Sequence, residues 1–148
     1  MALSSNDLFK AIGAPLKNAY SWGAVHPNGS VVLRVWKGKD DSVRHNDTGM
    51  RRFRLTCDSK WNQTTAQCKE RHEHIRLLQE GALGYMLLHT AVDDSVKCGD
   101  RKIKDVDSYR IWKIHSLIPI EDELGMDIWA LAEPTPLEIP PNYKVAWE

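Results

Sequence analysis

The stretch YSWGAVHPNGSVVLRVW, residues 20–36, constrains the fold more than any other part of the chain. Two runs of β-prone residues flank His26–Pro27–Asn28–Gly29, so it predicts a β-hairpin. Two turns compete. A two-residue Asn–Gly turn would put Pro27 at a paired strand position, where an N–H is needed and proline has none. A type I turn with Pro27 at its second position and Gly29 as a left-handed bulge suits both residues. The second turn sets the register. His26 faces Ser30, Ala24 faces Val32, Trp22 faces Arg34 and Tyr20 faces Trp36. Since side chains alternate, Tyr20, Trp22, Arg34 and Trp36 gather on one face, and Val25, Val31, Leu33 and Val35 on the other. A slip of one residue would exchange these sets.

The Val-rich face is the better core candidate. The aromatic–cationic face has two readings. It is a surface for a planar ligand, since flat aromatic walls stack nucleobases and arginine pairs with indole rings. Or it is ordinary core, packed with a buried arginine beneath the main helix.

The rest of the 148 residues fits one domain around this hairpin. Ser4–Ser5–Asn6 cap a short first helix that stops at Gly13. Residues 38–50 and 58–65 read as polar loops. Residues 65–80 form the main helix, with Cys68, His72, Ile75 and Leu78 as its apolar stripe and Gly81 as its stop. Residues 51–57, 84–92, 109–118 and 127–132 read as strands. The segment 134–148, with four prolines, reads as a tail after a domain of residues 1–133. The fold class expected is α+β: a curved sheet or small barrel of about six strands, one main helix and a short N-terminal helix.

Charge and cysteine content narrow the setting. Net charge is zero, but residues 34–54 are rich in Arg and Lys, while residues 121–138 hold six acidic residues and no basic ones. A basic face and an acidic face are expected from this. Three cysteines without short spacing suit free thiols in a reducing cytoplasm. The N-terminus carries no signal-peptide pattern, and no apolar run approaches the ~20 residues of a membrane span.

Catalytic and metal motifs are sparse. No G-x-S-x-G, P-loop, G-x-G-x-x-G, HExxH or paired CxxC occurs. Cys68 and His72 lie one helical turn apart, but His72 and His74 point about 200° apart and cannot share an ion. No metal, cofactor or catalytic residue is therefore assigned, and the chain reads as a binding module rather than an enzyme. Arg44, Arg51, Arg52 and Arg54, interleaved with Trp22, Trp36 and Trp61, suit a nucleic-acid strand. Arg101, Lys102 and Lys104 add a second basic spot.

In order and flavour, SWGAV…GSVVLRVW, ERHEHIRLLQEGALGYMLLHTA and RKIK resemble the PUA-like group that includes EVE, YTH and ASCH domains, found alone or fused to HNH-type nucleases. The resemblance spans about residues 16–132. It implies a small curved barrel that reads a modified, flipped-out base of DNA or RNA in an aromatic pocket. Trp22 and Trp36 are then candidate walls, and Trp61 and Asp58 supply a further wall and a polar contact. Tyr20, Arg34 and Tyr85 complete the base-binding set. Arg44, Arg51, Arg52 and Lys102 would meet phosphates. The Gly-x-Lys-x-x-Glu pattern of ASCH domains is absent, so any cleavage would fall to a separate nuclease. The alternatives are a small nuclease-type enzyme and a protein-interaction domain that uses the aromatic face.

Overall fold

The computed structural model describes residues 4–17, 21–37, 42–44, 49–56, 66–92, 102–122 and 125–137. The elements in chain order are α1 (Ser5–Ala11), β1 (Gly23–Val25), β2 (Val31–Trp36), β3 (Ser42–Arg44), β4 (Arg51–Arg54), α2 (Ala66–Gln79), β5 (Gly84–Ala91), β6 (Ile103–Val106), β7 (Arg110–Asp122) and β8 (Gly125–Pro136). The chain is α+β, with eight strands among the described residues where about six were expected. The additional two are β3, inside the stretch read as a polar loop, and β6, between the strands expected at 84–92 and 109–118. Both are short and depend on a neighbouring strand rather than on their own apolar pattern.

Local chemistry closes the first elements as their residues dictate. The Ser4 hydroxyl accepts the Asp7 N–H at the start of α1. At its end Ala14 N–H reaches Phe9 O and Gly13 N–H reaches Lys10 O, with Gly13 at φ 84°. This is a Schellman closure, and α2 ends the same way through Gly81 and Ala82. In the first hairpin His26 N–H donates to Ser30 O and Gly29, at φ 91°, donates to His26 O. The register is Ala24 opposite Val32, as the Pro27–Gly29 turn requires.

The strands run β1-β2-β5-β7-β8-β4-β3, and β6 pairs with β5 off that path. Among the described residues only β2 and β5 are parallel. β5 divides its free edge, pairing with β7 at Tyr85–Met86 and with β6 from His89 onward. The long β7–β8 hairpin shifts register between Ile114 and Ser116, which bends it. β8 passes the expected end at 132 and continues to Pro136.

The sheet curls until β4 comes back to β2. Its concave side holds the main core: Val31, Leu33 and Val35 from β2, Phe53 and Leu55, Met86 and Leu88, Trp112, Ala130 and Ala132, closed by Ile75 and Leu78 of α2. The α2 stripe differs from the one expected. Arg71, His74, Ile75 and Leu78 are buried and His72 is exposed, because the helix turns its 71/75/78 line inward. A second core lies on the other side of β1, β2 and β5. There Leu8 and Phe9 of α1 pack on Ala24, Val32, Leu87 and Val106.

Part of the basic segment lies directly beside part of the acidic one. Antiparallel pairing sets β4 beside β8, and Arg54 meets Asp127 at 3.1 Å while Thr56 Oγ1 donates to the same carboxylate.

A candidate nucleic-acid interface under the first helix

Alternation along β2 puts Val32, Arg34 and Trp36 on the α1 side of the sheet. The parallel register sets them beside Tyr85, Leu87 and His89 of β5. The helix over this aromatic–cationic face is thus α1, while the 66–79 helix covers the opposite face.

Three polar side chains meet beneath α1. The His89 Nδ1–H donates to Leu87 O at 2.9 Å, which leaves Nε2 as an acceptor. Ser5 Oγ lies 2.7 Å from that Nε2 and donates its proton there. Arg34 Nη2 donates to Ser5 Oγ at 3.3 Å. The rings of Phe9 and Trp36 flank the imidazole, with centroids at 6.5 and 6.0 Å. Arg34 is 7% exposed and has no ion-pair partner among the described residues, and its Nε is buried without a hydrogen-bond partner. Burial lowers its pKa to about 10, so it remains a cation at pH 7. His89 has no exposed surface. Desolvation first, and then the nearby Arg34 charge, lower its pKa to about 3. So weak a base does not activate a serine at neutral pH, and the Ser5–His89 bond fastens α1 to β5.

Arg71 of α2 holds the other side of the same strands. Its guanidinium donates to Leu55 O at 2.6 Å, Arg34 O at 2.7 Å and Trp22 O at 2.8 Å, joining β4 to the end of the first hairpin. Its central carbon lies 5.8 Å from the Trp22 ring centroid. Arg71 and His89 were not singled out from sequence, and Ser5 was named only as part of the cap of the first helix. A histidine within GYMLLHTAV, and an arginine three and four residues ahead of His74 and Ile75, are the signals that mark the first two.

The expected base-contacting residues divide into groups. Arg34 and Trp36 lie together at the His89 end, with Trp36 half-buried at the rim. Trp22, also half-buried, stands opposite Arg34 at the end of the ladder, where Arg34 N–H donates to Trp22 O at 2.8 Å. Tyr85 shares their face but lies four residues from His89 along β5, about 13 Å at the usual rise per residue. It cannot wall the same base as Trp36. Tyr20, Asp58 and Trp61 lie outside the described residues.

The expected phosphate contacts also separate. Lys102 is exposed next to the far end of β5, where Val92 N–H donates to Lys102 O. Lys37, whose N–H donates to His89 O, is exposed at the same end. Arg51 and Arg52 are half-buried on β4, paired with Ala132 and Leu131. Arg44 pairs with Arg51 through the backbone of β3. Among the described residues no group of three His, Cys, Asp or Glu side chains could hold a metal ion. No helix there is long and apolar enough to cross a membrane.

The chain matches no protein-family model, and comparison with curated proteins and with solved structures finds no match.

Proposed function

We propose that this chain is a PUA-like nucleic-acid-binding module that holds one base, a modified one, at the Trp36 end of β2 and β5. One observation carries the reading: Arg34 is a desolvated cation with no ion partner among the described residues, placed behind a half-exposed tryptophan. A buried charge without a partner is costly, and an electron-rich base edge offers the missing acceptor. Trp36 supplies a stacking wall, and Lys37 and Lys102 lie where a strand's phosphates would pass. The curled sheet, with one helix plugging it and a short helix on its outer face, suits the small-barrel architecture of that group.

The test is a tryptophan-fluorescence titration with single strands of DNA and of RNA that differ by one modified base. Binding should fall steeply with salt, as counterion release requires. Trp36→Ala should weaken it by about 1–3 kcal/mol, the usual worth of one stacked base. Failure of every strand to bind at low salt would refute the proposal. So would preserved affinity in both Trp36→Ala and Arg34→Gln.

A further inference from the structure

A cleft of about 340 Å³ opens on the same side of the sheet, between the C-terminal end of α1, the tip of the first hairpin and the start of β5. Its apolar floor is made by Ile12, Val32, Ile111 and Leu137, and the half-buried Tyr85 forms a wall. Leu83, 58% exposed, also lines it. Among the described residues no aspartate, glutamate, lysine or arginine lines it. Its polar groups come from the hairpin tip. Asn28 N–H donates to His26 Nδ1 at 3.1 Å, which assigns the ring proton to Nε2 as a donor. Asn28 Oδ1 accepts Ser30 N–H at 2.9 Å, so the amide is oriented with its NH2 group left to donate. The His26 ring is held against Gly13, where an added Cβ would lie 2.8 Å from Nε2.

The geometry points to this cleft as a second binding site, for an uncharged planar heterocycle that carries a carbonyl acceptor. The inference goes beyond the base contact at Trp36 and does not depend on it. Three observations decide the ligand class. The volume is at the low end for small-molecule pockets and takes one ring system. The apolar floor and tyrosine wall suit a flat body. The hairpin tip offers donors, whereas the described lining holds no charged side chain to act as counter-charge for a carboxylate or phosphate. Such a ring could arrive as a free small molecule or as a base of a bound strand.

The experiment follows methyl and amide NMR signals of the full chain during titration with 1-methyluracil, with toluene and with benzoate. The expected result is a saturable shift at Ile12, Ile111 and Leu137 with 1-methyluracil, and at least tenfold weaker binding of the other two probes. Asn28→Asp keeps the acceptor for Ser30 N–H but removes the amide donors, and should weaken 1-methyluracil at least fivefold with the hairpin amide signals unchanged. Absence of a saturable shift would overturn the site. Equal binding of benzoate, or undiminished binding by Asn28→Asp, would overturn the ligand class. Displacement of 1-methyluracil by oligothymidylate identifies a strand base as the source, and persistence of both together identifies a free molecule.

Discussion

His89 sits between Phe9 and Trp36 with both ring nitrogens engaged, one by the Leu87 carbonyl and one by Ser5. Burial, and then the nearby Arg34 charge, disfavour a second proton on the ring. An exposed histidine titrates near 6.5, and here burial lowers the value to about 3; His74, buried beside Arg71, is lowered to about 4. Below pH 6.5 the unfolded chain therefore takes up protons that the folded chain refuses. The stability these neutral rings contribute is fully present above about pH 6.5 and is lost as pH falls toward 4 and then 3. Each ring should cost about 3 kcal/mol between pH 6.5 and pH 4. Urea unfolding across that range should show the slope, and His89→Gln should make it shallower. If the His89 ring signal in the native protein titrated near pH 6.5, this account would fail, whatever the variant did.

At the scale of elements, two glycines of the first hairpin carry different constraints. Gly29 needs φ 91° and has nothing within 4 Å of where a Cβ would be. Gly29→Ala should therefore cost only the left-handed backbone penalty, about 1–2 kcal/mol. At Gly23 an added Cβ would lie 2.8 Å from Val32 O and 2.9 Å from the Leu33 side chain, with His74 of α2 at 3.2 Å. Gly23→Ala must push strand or helix apart and should cost more than Gly29→Ala in chemical denaturation. The reverse order would mean that α2 is not seated on β1 as described. The hairpin was legible in the sequence because Pro27 fixes its own φ and Gly29 accepts the left-handed φ that the turn needs. The helix stops at Gly13 and Gly81 were legible for the same reason. β3 and β6 were not, since they are only 3 and 4 residues long and exist through pairing with the strand next to each in the chain, not through an apolar pattern of their own.

For the whole molecule, β2 is the shared wall of two cores, with Leu33 facing α2 and Val32 facing α1. Loosening either side should weaken both. Leu33→Ala and Phe9→Ala should each cost about 3–5 kcal/mol, and each should lower a single transition seen alike by tryptophan fluorescence and circular dichroism. A separate early melting of the α1 side in Phe9→Ala would show that the two layers are independent.

Residues 20–36 determined by themselves where the turn lies, which residues face one another and which side chains share a face, because those are consequences of local dihedrals and strand alternation. They also singled out Tyr20, Trp22, Arg34 and Trp36 as a cluster worth explaining. What covers that face was a tertiary decision. The parallel crossover from β2 to β5 brings His89 beside Trp36, and Ser5 and Phe9 then close over them, although 84 residues separate Ser5 from His89. The same holds for Arg71, which joins three carbonyls that are far apart in the chain. Long-range pairing follows from the summed packing of many weak contacts, and no short window of sequence contains that sum.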